Sequence, residues 1–320
     1  MASGVLILAE IVDGAVAPVT AELVGAAQSL GAGPVSAMVI GSGVEAAAAN
    51  ILGVEKTYVI DDPALAQYST DGYTKAAAAV AEKVDPAVIL LAQSDAGRDL
   101  GPALSFRLNT AIAMDCIALE YKDGKLHATR PTYGGNARAV HSFTAEPAMA
   151  TLRPKAVEGL VGGSPGAVEK VAADVSGIRT KVLNREVATA EGVRLEDAAV
   201  VVSGGRGMGG PENFDVIQEL ATALGGAVGC SRAVADLGWR PVAEQVGLTG
   251  KVVSPNLYIA VAISGASQHM AGCSGAKNII AINKDADANI FKASRFGIVG
   301  DYKTIMKPLI EAIKKAKAAG

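Results

Sequence analysis

Residues 198–210 read Ala198-Ala199-Val200-Val201-Val202-Ser203-Gly204-Gly205-Arg206-Gly207-Met208-Gly209-Gly210, an apolar run of strand length that ends in a glycine-rich loop. A stretch of helical character, Glu212–Leu224, follows at once. Glycines let backbone N–H groups approach an anion closely, and the dipole of a following helix favours negative charge. The loop is therefore suited to a phosphate, with Arg206 as its cation. Its spacing is not G-x-G-x-x-G, and taken alone it reads equally well as a turn. What decides the fold is that the pattern recurs. Apolar runs at Ala198–Val202, Gly226–Gly229, Tyr258–Ile263, Asn278–Ile282 and Gly297–Val299 alternate with helical stretches, the last over Tyr302–Ala318. This is the pattern of an α/β unit with a mostly parallel sheet.

Open parallel sheets bind ligands beyond the carboxyl ends of their strands, and here those ends carry the unusual residues. Gly229-Cys230-Ser231-Arg232 follows the second run and Ser264-Gly265-Ala266-Ser267-Gln268-His269 the third. Asn283-Lys284-Asp285 follows the fourth and Gly300-Asp301 the fifth. Polar groups at all five exits predict a long dinucleotide ligand. Between the second and third runs, Glu244-Gln245-Val246-Gly247-Leu248-Thr249-Gly250-Lys251 sets two glycines around a hydroxyl, by itself most simply a turn.

The first half has the same texture. Strands are predicted at Val5–Leu8, Val35–Ile40, Thr57–Ile60 and Val88–Leu91, and helices over Ala15–Leu30, Glu45–Leu52 and Tyr73–Lys83. From Ile117 the texture changes, and Asp123-Gly124 between two strand-like runs is a strong hairpin signal. Two or three antiparallel strands are expected to follow through Met149–Leu152. Residues 158–196, which include Gly162-Gly163-Ser164-Pro165-Gly166, have weak periodicity and read as a linker. The expected division is an N-terminal α/β domain over 1–190, with antiparallel additions, and a second domain over 197–320.

Composition narrows the function. The 320 residues are 50% apolar and 19% charged, enough for two ordinary cores. Net charge is −3, Lys and Arg are scattered and aromatics are 4%, so neither a phosphate-neutralising face nor a base-stacking platform is expected. Cys116, Cys230 and Cys273 form no C-x-x-C pair, and His127, His141 and His269 are equally dispersed, so redox chemistry requires an organic cofactor. The first residues read as a buried strand rather than a signal peptide, and no run reaches a membrane span. No membrane insertion and reduced, cytoplasmic (or mitochondrial-matrix) surroundings are the expectation.

Four motifs stand in order: Ser203-Gly204-Gly205-Arg206-Gly207, Val246-Gly247-x-Thr249-Gly250-Lys251, Tyr258-Ile259-Ala260-Val261-x-Ile263-Ser264-Gly265-Ala266-x-Gln268-His269 and Ala281-Ile282-Asn283-Lys284-Asp285. In order and spacing they resemble the signatures of electron-transfer flavoprotein alpha subunits. Thr132-Tyr133-Gly134-Gly135-Asn136-Ala137 is similar to that family's N-terminal domain. The resemblance implies a C-terminal Rossmann-like, doubly wound domain with FAD extended across it. Arg206 and the loop Ser264, Gly265, Ala266, Ser267, Gln268 and His269 would hold the pyrophosphate and ribityl region. Asn283, Asp301 and Tyr302 would lie toward the adenosine end. Ser231, Arg232, Thr249 and His269 would be nearest the isoalloxazine, with Val246, Gly247 and Leu248 in the same loop as Thr249.

The resemblance also implies an electron carrier rather than an enzyme with its own substrate. Such a subunit forms a heterodimer with a smaller beta subunit. It takes electrons from dehydrogenases of the acyl-CoA type, as in fatty acid oxidation, and passes them to a quinone reductase or another acceptor oxidoreductase. Some relatives instead bifurcate electrons from NADH, with a second FAD in the partner subunit.

One-electron reduction of flavin without protonation leaves negative charge on the N1/C2 carbonyl region, which cationic or donor groups such as Arg232 and His269 are suited to stabilise. Thr249 can donate or accept at N5. The family usually carries Gln where this chain has Leu248. An apolar side chain cannot make the amide's hydrogen bonds, so the potential of the flavin rather than its binding is expected to differ.

Plainer readings exist for several of these residues. Arg232 is spaced to pair with Asp236 at i, i+4. Trp239 reads as packing, Cys230 and Cys273 as small buried residues, and Lys314-Lys315-x-Lys317 as a solvated helix end. A dehydrogenase with its own substrate would need a general acid or base with a defined partner, and the sequence offers none. A nucleotide-binding regulatory module would need only the first domain.

Overall fold

A computed structural model describes residues 2–135, 137–185 and 193–319. The chain forms two units, Met1–Thr132 with Arg138–Glu186, and Tyr133–Ala137 with Val187–Gly320. Asn136, the stretch 186–192 and the expected boundary near residue 190 lie outside the described residues.

In the first unit, seven strands form one sheet in the order Ala167–Lys170, Lys56–Asp61, Val35–Gly41, Val5–Leu8, Val88–Ala92, Ala148–Leu152, Ile112–Cys116. Each neighbouring pair is parallel. Val5–Leu8 is buried on both faces: Val5 and Ile7 feed a core that includes the helix Pro18–Leu30, while Leu6 and Leu8 feed one that includes helices Thr70–Val84 and Asp95–Arg107. Continuous apolar runs are what such two-sided burial requires. The first helix starts at Pro18, whose missing N–H costs nothing in the first turn, and ends where Gly31 takes φ 61°. Ala15 and Val16, expected in that helix, instead pair with Ile11–Val12 in a small hairpin.

The Asp123-Gly124 turn joins antiparallel strands Ala118–Lys122 and Lys125–Thr132, and both turn residues have positive φ, as a type I′ turn demands. Ala137–Ser142 completes this three-stranded sheet. Ala148–Leu152, expected to be antiparallel, is instead a parallel strand of the main sheet; all five of its residues are buried, which suits a position covered on both faces. Within the stretch read as a linker, Ala167–Lys170 forms the edge strand beside Lys56–Asp61. The helix Asp95–Arg107 has little periodic signal because Gly97, Gly101 and Pro102 interrupt it. Its first turn is capped by Ser94 Oγ, which accepts from the Gly97 N–H at 3.0 Å.

The second unit holds five parallel strands, Val200–Gly204, Ala227–Cys230, Leu257–Val261, Ile279–Asn283 and Phe296–Val299. In space they run second, first, third, fourth, fifth. This is an open doubly wound order, and its switch point lies beside the first strand, where the chain turns from one side of the sheet to the other. Val202, Ile259, Val261 and Ile282 pack with helices Asp215–Leu224 and Tyr302–Ala319. Val201, Tyr258, Ala260 and Ala281 pack in a second core with Cys273 of the helix Ser267–Cys273 and with Ala288 and Ile290. The turn Tyr133–Gly135 belongs to this unit and packs on the helix Ser267–Cys273. Helix ends and loops at the carboxyl edge of the sheet are thus fixed by two apolar cores, one on each face.

Candidate functional site

At the switch point a cleft of about 650 Å³ opens where four strand exits meet. Gly205, Arg206 and Gly207 follow the first strand, Ser231 and Arg232 the second, Ser264, Ala266, Gln268 and His269 the third, and Asn283 the fourth. The loop carrying Val246, Gly247, Leu248 and Thr249 closes one side.

Close backbone approach explains the glycines. A Cβ on Gly205 would sit 2.1 Å from the Ala262 carbonyl oxygen, so the exits of the first and third strands can touch only without a side chain there. Gly265, with φ +81°, is behind the cleft rather than in its lining; a Cβ there would lie 2.2 Å from the Ile290 nitrogen.

Three other expected residues are also outside the lining. Ser267 opens the helix Ser267–Cys273 and its hydroxyl donates to Gln268 Oε1 at 3.3 Å. Asp301 accepts from the Lys303 N–H at 2.9 Å and begins the last helix. Tyr302 is buried, and its hydroxyl donates to the Met208 carbonyl at 2.7 Å, bracing the glycine-rich loop from below. Neither residue is part of the cleft lining, and of the two Tyr302 acts on the glycine-rich loop.

Gln245, Ala262, Asp285 and Ala288 also line the cleft, and none of the four is among the residues expected to touch the cofactor. Gln245 is buried and its Nε2 donates to Thr249 Oγ1 at 3.0 Å. The Thr249 oxygen thus accepts from the protein side, and its own hydrogen is left for a ligand. Ala262 holds φ +54°, a costly conformation for a non-glycine residue that tends to persist at functional sites.

The charges divide unequally. Arg206 is exposed and makes no ion pair among the described residues. Arg232 pairs with Asp236 at 3.3 Å with both side chains about two-thirds exposed, so its field is offset by the carboxylate and screened by solvent. The plainer reading of Arg232 holds alongside its place in the lining.

His269 differs from a surface imidazole. It is 7% exposed, and its Nε2 lies 2.9 Å from Tyr258 Oη while Nδ1 has no well-formed partner. Burial lowers its pKa to about 4, so the ring is neutral near pH 7 and serves as a hydrogen-bonding group rather than as a cation. Cys230 and Cys273 are fully buried, with thiols pushed up to about 12 by desolvation, which fits small structural residues. Trp239 packs against the core of the second unit.

A buried imidazole nitrogen without a partner, an unpaired arginine and a hydroxyl held from behind all fit an elongated anionic ligand. The fold and cleft are those of a dinucleotide-binding α/β domain. Residues 5–176 match the electron transfer flavoprotein domain, and residues 194–274 match the electron transfer flavoprotein FAD-binding domain. The chain is 44% identical to the electron transfer flavoprotein subunit alpha of Thermoanaerobacterium thermosaccharolyticum, covering 97% of this chain and 98% of that one. It is 38% identical to the Bacillus subtilis electron transfer flavoprotein subunit alpha, covering 98% of each, and 41% identical to Protein FixB of Clostridium saccharobutylicum, covering 99% and 98%. The chain belongs to the electron transfer flavoprotein alpha-subunit family, and FAD is the cofactor of its C-terminal domain. Among the described residues, no helix is long and apolar enough to cross a membrane, and no cluster of three or more His, Cys, Asp or Glu could hold a metal ion.

Proposed function

We propose that this chain is the FAD-holding subunit of a two-chain electron carrier, with residues 197–320 as the FAD-binding domain and a beta subunit as its heterodimeric partner. The observation that carries this reading is the convergence of four strand exits at the switch point around the unpaired Arg206 and the buried His269 Nδ1. When bound, FAD supplies electron transfer through its isoalloxazine ring. Arg206 with Ser264, Ala266 and Gln268 holds the pyrophosphate and ribityl region. Asn283 braces the adenosine side: its Nδ2 donates to the Ile263 carbonyl at 2.9 Å and its Oδ1 accepts from the Asp285 N–H at 3.0 Å. Ser231, Arg232 and Thr249 face the ring end, where Gln245 keeps the Thr249 hydroxyl turned outward. Val246 and Ile263, both buried, exclude water beneath.

Both carboxylates that line the cleft are engaged, Asp236 with Arg232 and Asp285 with the Asp287 N–H at 3.0 Å. That supports a carrier over a dehydrogenase acting on its own substrate. In this reading the donors are dehydrogenases of the acyl-CoA type and the acceptor is a quinone reductase or another oxidoreductase. Co-expression with the beta subunit from the same source tests it by cofactor counting. One FAD per heterodimer, reduced by an acyl-CoA dehydrogenase with its substrate, is expected. Two FAD would redirect the assignment to an NADH-bifurcating complex, and a colourless complex or a stable flavin-loaded monomer would overturn it.

Leu248 gives a sharper check. Its side chain is 63% exposed, and what fixes the loop is its backbone N–H, which donates to the Gln268 carbonyl at 2.7 Å. Leu248→Gln is therefore expected to leave FAD stoichiometry unchanged. A neutral hydrogen bond contributes about 0.5–1.5 kcal/mol, which for one electron is on the order of tens of millivolts. Redox titration of wild type and variant side by side should show at least one flavin potential displaced by that much. Identical potentials would separate the loop from the ring, and loss of FAD would make Leu248 a packing contact.

A further inference from the structure

The loop that closes one side of the cleft is fastened to the helix Ser267–Cys273 by main-chain atoms. The Leu248 N–H donates to the Gln268 carbonyl at 2.7 Å, and the Val253 N–H donates to the Gly272 carbonyl at 2.7 Å. The two acceptors are four residues apart, so a single turn of the helix carries the loop at two points. Between those bonds the backbones touch. A Cβ on Gly272 would lie 2.3 Å from the Gly247 nitrogen and 2.5 Å from its Cα, and a Cβ on Gly247 would lie 3.1 Å from the Gln268 carbonyl oxygen. Within a helix glycine costs about 1 kcal/mol against alanine, so local propensity alone would place alanine at 272.

The two sides of this seam differ in their freedom to move. Gly272 and Cys273 are buried, and Cys273 belongs to the apolar core that also holds Tyr258 and Ala281. The loop tip, by contrast, is exposed at Leu248 and Thr249. The loop is also closed on itself. Gly247 N–H donates to the Lys251 carbonyl at 3.1 Å, Gly250 N–H to the Gly247 carbonyl at 3.1 Å and Lys251 N–H to the Gln245 carbonyl at 2.7 Å. A push on Gly247 therefore moves the loop as one piece, and Thr249 goes with it.

We infer that Gly272, which is outside the cleft lining, is a positioning residue that sets where the Thr249 hydroxyl stands against the cofactor ring, by letting helix and loop meet backbone to backbone. The inference rests on the FAD site proposed above. A methyl group at 272 would meet main-chain atoms, which cannot swing aside as the end of a side chain can. Ordinary carbon contacts need about 3.5 Å, so the loop would retreat by roughly 1 Å. A hydrogen bond offered by Thr249 does not survive that displacement.

The test is a double-mutant cycle of Gly272→Ala and Thr249→Val in the two-chain complex, with FAD kept saturating. A donor favours the electron-richer ring. Each single variant should therefore lower the equilibrium constant for adding the first electron to the flavin about tenfold, the weight of one hydrogen bond. The double variant should show no further fall, because the alanine acts only through the hydroxyl. A glycine that merely supported the fold would lower Tm on substitution and leave the potential where it was. If Gly272→Ala does not assemble, Gly247→Ala presses on the same seam by less, at 3.1 rather than 2.3 Å, and should give the same non-additive fall. A shift in Thr249→Val with none in the glycine variant, or a double variant whose fall is the product of the single ones, overturns the positioning role alone. An unchanged potential in Thr249→Val places the ring elsewhere, and the site reading then fails together with the inference.

Discussion

Gly205→Val is expected to yield a protein that purifies without flavin while its first unit remains folded. The reason is local and steric. The Cβ position of Gly205 is 2.1 Å from the Ala262 carbonyl oxygen, whereas unstrained carbon contacts lie at about 3.5 Å, so the two strand exits would have to separate by roughly 1 Å. Ala262 cannot yield easily, because it already holds φ +54° and its N–H is bonded to the Ile282 carbonyl at 2.8 Å. Inserting a side chain into such a contact costs about 1–3 kcal/mol or more. Displacement of Arg206 and Ser264 from a common ligand adds to that, so an affinity loss of at least ~10- to 100-fold is expected. Gly207→Val should be milder, since its Cβ would lie 3.0 Å from Ala262 Cβ, the end of a side chain, and from the same oxygen. Flavin absorbance per protein gives the readout, and hydrogen exchange of Val5–Leu8 and Val88–Ala92 reports whether the first unit stays intact. Full FAD content in both variants would remove the glycine-rich loop from the site.

Much of this was legible in the sequence because apolar runs and glycine loops are local signals. Strand Val5–Leu8 was readable to the residue, and the five strands of the second unit to within two residues at either end, since buried parallel strands are written as continuous Val, Ile, Leu and Ala. The hairpin at Asp123-Gly124 was equally plain. What escaped depended on partners distant in sequence. Ala148–Leu152 looks like any strand, and only its insertion between Val88–Ala92 and Ile112–Cys116 makes it parallel. Ala167–Lys170 is an exposed edge strand whose burial shows no alternation. In the site, Gln245 carried no signal because a lone amide gains meaning only once Thr249 is seen 3.0 Å away. Asp301 and Tyr302, which the family resemblance sets toward the adenosine end, follow the strand at the sheet edge, and neither is part of the cleft lining. The protonation of His269 was likewise invisible, because it is set by burial rather than by neighbours in the chain.

That burial predicts a pH dependence confined to the second unit. The pKa of His269 is lowered from its ordinary value of 6.5 to about 4 in the folded protein by desolvation. Between these values the unfolded chain binds a proton that the folded ring refuses, so stability is fully present above pH 6.5 and is lost as pH falls toward 4. Integrated to pH 4.5, the single site accounts for about 2–3 kcal/mol, a large share of the stability of an ordinary domain. Carboxylates titrate in the same range, so the contribution must be isolated by difference. His269→Gln provides it, because the amide cannot charge yet can still hydrogen-bond to Tyr258. Trp239, the single tryptophan, packs in the second unit and reports its unfolding by fluorescence without interference from the first. Urea unfolding at pH 7 and pH 4.5, with FAD removed from both proteins, should show wild type losing about 2–3 kcal/mol more than the variant. Equal losses would mean that the ring protonates within the fold at its ordinary pKa. The cleft wall would then be wet, and His269 would face it as a cation rather than as a neutral ring.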